Sequence, residues 1–256
     1  MAVRALVLRT AGTNCDAETQ FAWEKAGAVA ERVHINRFIE NPKALGAYQV
    51  LTIPGGFSYG DDIAAGKIFA NQLVHHLADV IQKFLASDRL VLGICNGFQV
   101  LVKCGLLPGS PDGRPTLAQS ATLTNNDCGM FVDRWIRLRT DTSRCPFLKK
   151  GDQLDLPVAH GEGKFLLGPS LTVTDLEARG QVALRYIPDG GSEVYNPNGS
   201  VSDIAGLCDP TGRILGLMPH PERHVLPYHH PQWTRRPTAQ EGEGLALFKR
   251  GVAYFK

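Results

Sequence analysis

The chain has no Cys-x-x-Cys pair, no closely spaced His partner for any of its six cysteines, and no G-x-x-x-x-G-K-[ST] string. The first two absences remove the usual zinc-ribbon and disulfide frameworks, so no metal is expected, and the third removes the commonest phosphate loop. Charge of one sign is also lacking. A formal net charge of +2 gives no basic footprint for nucleic acid. Long hydrophobic runs are missing too: Met1 to Thr10 holds one short apolar run broken by Arg4 and Arg9. That run is shorter than the core of a secretory signal or a membrane span, so the expectation is a cytoplasmic protein that does not meet a membrane. There is no repeat and no low-complexity segment. What remains is 256 residues, 43% of them hydrophobic, enough for one large core and a single domain over 1–256.

Short apolar runs alternate with amphipathic stretches through the first hundred residues. Arg4 to Leu8, Val29 to His34, Tyr48 to Ile53 and Leu90 to Ile94 read as strands, with a helix capped near Asp16 and a long helix over Asp62 to Ala86. The strands are almost continuously apolar, as burial on both faces of a parallel sheet requires. After Pro108 the texture changes to alternating segments, Thr116 to Thr124 and Phe131 to Arg139, that predict antiparallel strands appended to the sheet. Val182 to Tyr186, Ile204 to Cys208 and Ile214 to Met218 continue the β-rich half, Glu243 to Tyr254 reads as a closing helix, and Pro227 to Gln240 as a loop. The fold class is therefore α/β: an open, mostly parallel sheet flanked by helices, with appended antiparallel strands and function at the strands' carboxyl ends.

Val91 to Ile94 runs into Gly93-Ile94-Cys95-Asn96-Gly97 and then into a helix carrying Val100, Leu101 and Val102. A buried strand followed by G-x-C-x-G is a nucleophile elbow with cysteine in place of serine. Small residues are needed on both sides because the turn is tight, and the helix starting at Asn96 aims free N–H groups at the sulfur. Cys95 is the expected nucleophile and the Asn96 N–H an oxyanion donor; the competing reading is a small buried hydrophobe in an α/β crossover. Cys104 and Cys208 read as core residues, and Cys15, Cys128 and Cys145 sit near loops without an evident base.

A thiolate in acyl transfer needs a histidine to move its proton and a third group to fix the imidazole. Met218-Pro219-His220-Pro221-Glu222-Arg223 follows the strand Ile214 to Met218 at once. His220 is flanked by prolines that deny it a helical continuation, and in an extended segment Glu222, two residues on, falls on the same side. Cys95, His220 and Glu222 are the expected catalytic triad, against a structural role for His220. His160, in Ala159-His160-Gly161-Glu162-Gly163, competes for the part of base; its glycines place His160 and Glu162 at the mouth of the site or facing a partner. The other histidines lie in a strand, a helix or the loop after His220. In Pro54-Gly55-Gly56-Phe57-Ser58-Tyr59-Gly60-Asp61 the glycine pair can present backbone N–H groups, and Gly56 is the expected second oxyanion donor; a phosphate cradle is the alternative use of such a loop.

With these residues in view the chain resembles the class I glutamine amidotransferases, flavodoxin-like enzymes that carry a G-x-C-x-G elbow and a later His-Pro-Glu. More narrowly, Gly12 to Asp16, Pro54 to Asp61, Gly93 to Gln99, Ala159 to Phe165, Tyr195 to Ser200 and Met218 to Arg223 are similar to the glutaminase subunits of phosphoribosylformylglycinamidine synthases, nearly end to end. The resemblance implies a glutaminase that forms a cysteinyl thioester and passes ammonia to a partner synthetase, often with a small bridging subunit, in purine biosynthesis. It implies no cofactor in this chain, ATP and magnesium being used by the partner. It further implies a glutamine pocket touched by Gln99 and by Asn126 to Phe131, where Met130 replaces the arginine usual in that family. Pro227 to Gln240 looks like an elaboration that meets the synthetase. A stand-alone cysteine-elbow hydrolase or peptidase, and a non-catalytic scaffolding subunit, are the rival readings; ammonia release without a partner marks the first and no release in any mixture the second.

Overall fold

The computed structural model describes residues 2–112, 117–190, 195–236 and 239–256. Strands β1 (Arg4–Arg9), β2 (Val29–His34), β3 (Val50–Ile53) and β4 (Leu90–Ile94) alternate with helices α1 (Asp16–Lys25), α2 (Ile35–Glu40), α3 (Lys67–His76), α4 (Ala78–Ala86) and α5 (Asn96–Lys103). The second half supplies β5 (Ala121–Thr124), β6 (Val132–Thr140), β7 (Gln153–His160), β8 (Lys164–Leu167), α6 (Val173–Ala178), β9 (Val182–Ile187), β10 (Ile204–Cys208), β11 (Ile214–Leu217) and α7 (Leu245–Ala253).

Among the described residues nine strands form one sheet in the order β2-β1-β3-β4-β11-β10-β9-β6-β7. The five from β2 to β11 run parallel, and the next four pair antiparallel. β3, β4 and β11 are buried along their whole length because helices cover both faces, which explains their unbroken apolar sequences. β6 shows the partial alternation of a strand with one wetter face.

Three expectations change. The long helix over Asp62 to Ala86 is two helices: Asp61 (φ 53°) and Gly66 (φ 74°) are left-handed, so nothing helical starts before Lys67. Leu77, buried at φ −126°, then ends α3, and Asp79 in the first turn of α4 favours a fresh N-terminus. The segment from Thr116 yields only the short β5, which pairs with β8 in a separate two-stranded ribbon packed on α5 and not on the main sheet; Thr116 itself lies outside the described residues. β7 was not anticipated at all, because Pro157 sits inside it. Proline is tolerated there since β7 is the edge of the sheet and needs no donor on its outer side. Pro227 to Gln240 is irregular as expected, with two single helical turns at Pro227–His229 and Trp233–Arg235; Pro237 and Thr238 lie outside the described residues.

The register of β3, β4 and β11 positions the site. Ile53 faces Gly93 and Leu217 faces Ile94, so the loops after all three strands leave from one height. α5 then crosses directly over the end of β3. A Cβ on Gly97 would lie 1.8 Å from the Ile53 carbonyl oxygen, so only glycine permits the crossing. Gly97→Ala is expected to force the helix off the sheet and cost about 3 kcal/mol of stability, read as a lower midpoint in urea unfolding; an unchanged midpoint would show that the crossing can relax.

Candidate active site

Cys95 joins β4 to α5 with φ 49° and ψ −104°, a backbone conformation that an L-residue adopts only under constraint. Its N–H is tied to the Leu217 carbonyl at 2.8 Å, its sulfur lies 3.7 Å from the Ala159 carbonyl oxygen, and its carbonyl accepts the first α5 bond from the Gln99 N–H at 3.1 Å. The Asn96 N–H is in the first helical turn, where no intrahelical carbonyl is available. The elbow therefore presents a thiol against a set of free donors.

His220 follows β11, and its N–H is held by the Pro157 carbonyl at 2.8 Å. Its Nδ1 meets Glu222 Oε1 at 2.6 Å, with both side chains buried. The pairing arises differently from the sequence argument. Pro221–Arg223 is a single helical turn and not an extended run, and the turn folds Glu222 back under the ring. Burial opposes the imidazolium, but the Glu222 carboxylate, then the neighbouring Cys95 and Cys15 sulfurs, outweigh it, so the His220 pKa lies well above its ordinary value.

The second glycine loop packs beside this pair. Gly56 has φ +135°, and a Cβ there would lie 2.7 Å from the Asn14 nitrogen. The loop is pinned by Phe57 N–H to the Gly12 carbonyl at 3.0 Å and Tyr59 N–H to the Ala11 carbonyl at 2.8 Å, and neither bond consumes the Gly56 N–H. Asn96 stitches loop to helix: its Oδ1 accepts from the Ser58 N–H at 3.3 Å, and its Nδ2 donates to Asp61 at 3.1 Å and to Gln99 Oε1 at 2.9 Å.

Gly56, Phe57, Cys95, Gln99, Phe131, His160 and Glu162 border one cavity of 240 Å³, together with Asn125. That is below the roughly 300–1,000 Å³ of drug-sized pockets and suits a small polar molecule. A groove of 890 Å³ beside Tyr228, Trp233 and Glu243 is larger but brings no nucleophile and base together, so size does not identify the site. Phe131 stands half exposed at the rim, 6.4 Å from Phe57 centroid to centroid, and Met130 is exposed. Asn126 spends its amide inside the protein, donating to the Met130 and His160 carbonyls and accepting from the Gly163 N–H; its neighbour Asn125, which sequence reading passed over, borders the cavity. Gln99 likewise gives its Nε2 to the Glu162 carbonyl, so it shapes the wall through its own bonds.

His160 is placed at the cavity but bonded to amides: Nδ1 to Asn126 Oδ1 at 3.1 Å and Nε2 to Asn198 Nδ2 at 3.4 Å. That network assigns the proton to Nδ1. Burial, then the charge on His220, push its pKa down to about 4, which leaves it a neutral scaffold beside a base that is charged. Glu162 lies against Lys103 at 3.7 Å and accepts from the Ala65 N–H, linking the mouth to the loop after β3. Sequence reading missed Lys103, a buried cation in the last turn of α5.

Cys15 overturns the expectation that it has no base nearby. It is buried, it contacts His220, and its sulfur accepts from Arg223 Nη2 at 3.1 Å. Burial chiefly pushes this thiol's pKa up, so it stays protonated. Cys104, Cys145 and Cys208 are core residues. His224 and His230 meet Trp135 edge to face, a packing cluster away from Cys95. Among the described residues no helix is long and apolar enough to cross a membrane.

Comparison with known proteins places this geometry. Residues 2–255 match a family model for the CobB/CobQ-like glutamine amidotransferase domain. The chain is 45% identical to phosphoribosylformylglycinamidine synthase subunit PurQ of Dehalococcoides mccartyi over 98% of this chain and 97% of that one. It is 46% identical to the protein of the same name from Treponema denticola, over 99% of each. The structure of PurLQS from Thermotoga maritima superposes with a TM-score of 0.74 at 29% identity, covering 100% of both chains. A glutamine amidotransferase from Thermotoga maritima shares the fold, at a TM-score of 0.54 and 18% identity, over 92% of this chain and 82% of that one.

Glu222 is the largest support of the His220 imidazolium. Glu222→Gln removes that charge, so the imidazolium should lose its proton at a lower pH, by at least about one unit. Histidine NMR titration checks it, and an unmoved midpoint would assign the support to another group.

Proposed function

Because the chain belongs to the CobB/CobQ-like glutamine amidotransferase family, we propose that it is the glutaminase component of a phosphoribosylformylglycinamidine synthase, hydrolysing glutamine and delivering ammonia to a synthetase partner. The observation that carries this is the meeting, at one end of the sheet, of a thiol on a strained elbow with a buried, carboxylate-backed imidazole. Full-length similarity to subunits bearing that name, and to a chain of the PurLQS assembly, supports the substrate and the partners: a synthetase subunit and a small third subunit.

In this reading the Cys95 thiolate attacks the side-chain amide carbon of glutamine. The tetrahedral oxyanion sits between the Gly56 and Asn96 N–H groups, which are fixed before the charge develops. His220 gives its proton to the departing nitrogen, so ammonia leaves and a glutamyl thioester remains. Neutral again, His220 takes a proton from water, which attacks the thioester; glutamate departs and the thiolate–imidazolium pair is restored. Glu222 holds the ring by Nδ1 throughout and so keeps Nε2 for proton transfer. The neutral amide-bound His160, Asn125 and the aromatic rim of Phe57 and Phe131 shape the glutamine pocket. ATP and magnesium belong to the partner, whose docking closes the Gly56 loop and keeps glutamine from being hydrolysed idly. The place of work is the cytoplasm.

Glutamate release by this chain, alone and with its synthetase, ATP, magnesium and formylglycinamide ribonucleotide, tests the reading. Release should rise with the partner and fall on the order of 10⁴-fold or more in Cys95→Ala, while the assembled Cys95→Ala complex still uses free ammonium. Partner-independent release at full rate would mark a stand-alone hydrolase instead. Tyr228 and Trp233, the exposed aromatics of the 227–240 segment, are assigned to synthetase contact; the double change to alanine should weaken complex formation, measured by analytical ultracentrifugation, and undiminished assembly would remove that role.

A further inference from the structure

Behind the catalytic imidazole a second thiol closes on the same two residues. Cys15 sits at the turn into α1, and its N–H donates to the Gly55 carbonyl at 3.3 Å, which draws the turn after β1 against the end of β3. There is no side chain at Gly55 to hold the sulfur off: a Cβ at that position would lie 2.8 Å from His220 Cε1 and 3.2 Å from Cys15 Sγ. As a result one ligand atom from each of Cys15, His220 and Glu222 lies within 4.8 Å of the others, and all three residues are buried. Glu222 Oε2 has no hydrogen-bond partner among the described residues, and the sulfur approaches the Nδ1 side of the ring that Glu222 also occupies.

Thiolate, imidazole and carboxylate are the donor set that zinc-class ions take, and three protein ligands leave the fourth tetrahedral position to water. Bonds of about 2.0–2.3 Å in a tetrahedron put ligand atoms roughly 3.6 Å apart, so binding requires the sulfur to draw inward and the 2.6 Å His220–Glu222 hydrogen bond to open. We propose that Cys15, His220 and Glu222 form a binding site for a zinc-class divalent ion, and that its occupation withdraws the base and stops glutamine hydrolysis. The inhibitory half rests on the glutaminase reading; the binding half does not. On binding, the Cys15 thiol and the imidazolium each release a proton to solvent, the sulfur and ring-nitrogen lone pairs go to the ion, and nothing is oxidised or reduced. Arg223 is the cation in contact with the sulfur. It repels the ion while favouring the thiolate, which makes this a reversible inhibitory site in place of a permanent structural one.

The test uses the full chain with Cys95→Ala and Cys128→Ser, removing the nucleophile and the exposed cysteine. Titration with Co²⁺ should give the thiolate-to-cobalt charge-transfer band and the intense visible bands of tetrahedral cobalt at one equivalent, both displaced by Zn²⁺. Adding Cys15→Ser should abolish the charge-transfer band, and Glu222→Gln, which keeps the thiol, should weaken Co²⁺ binding at least tenfold. In the chain with Cys95 intact, Zn²⁺ should inhibit glutamate release with a midpoint at least tenfold lower than in Cys15→Ser. No charge-transfer band in the parent, or a band undiminished by Cys15→Ser, overturns the site. A band that obeys these expectations without inhibition overturns only the regulatory half.

Discussion

Everything in this site hangs on one constraint, the common register of three parallel strands. Because Ile53, Gly93 and Gly216 stand side by side in the ladder, the chain leaves β3, β4 and β11 at nearly the same level and delivers a glycine loop, a thiol and an imidazole to one point. No loop has to span a distance to bring them together. The close crossing of α5 over β3, permitted by Gly97, turns that alignment into a chemical site by aiming the helix start at the sulfur.

The antiparallel half, which at first sight only widens the sheet, supplies the opposing wall. β7 lays its backbone over the catalytic end, and its carbonyls at Pro157 and Ala159 meet the His220 N–H and the Cys95 sulfur. It also carries His160, and the contrast between the two histidines shows how environment assigns function. Both are buried, yet the one with a carboxylate is held charged and the one with two amides is held neutral. Two buried imidazoles of one chain are thus held in opposite charge states by their partners alone.

What could be read from the sequence was whatever is decided locally. The elbow at Cys95 depends on a strand, two glycines and a helix within a dozen residues, and the His220-Pro221-Glu222 string carries its own turn, although that turn is helical where an extended one was expected. The parallel half was legible because burial on both faces leaves uninterrupted apolar runs. Pro157 hid β7, since proline argues against a strand until the strand is known to be an edge. Cys15 was illegible for a different reason: the pairing of two separate loops, Thr13 with Gly56 and the Cys15 N–H with the Gly55 carbonyl, brings it to His220. Lys103 looked like an ordinary helix-end cation until the fold buried it against Glu162 and the Ala65 carbonyl.

The Cys95 amide bonded to the Leu217 carbonyl has a mechanical consequence. The Cys95 backbone is riveted to the strand that leads into His220, so prising the two apart means breaking central sheet pairing, among the stiffest deformations a protein offers. The glycine loop after β3 is held instead by single hydrogen bonds to other loops and to the Asn96 side chain, which can break one at a time, and so lies nearer the compliant end of the same scale. Fluctuation and partner-induced displacement will therefore fall on the oxyanion side of the reaction, leaving proton transfer between sulfur and imidazole at nearly fixed distance.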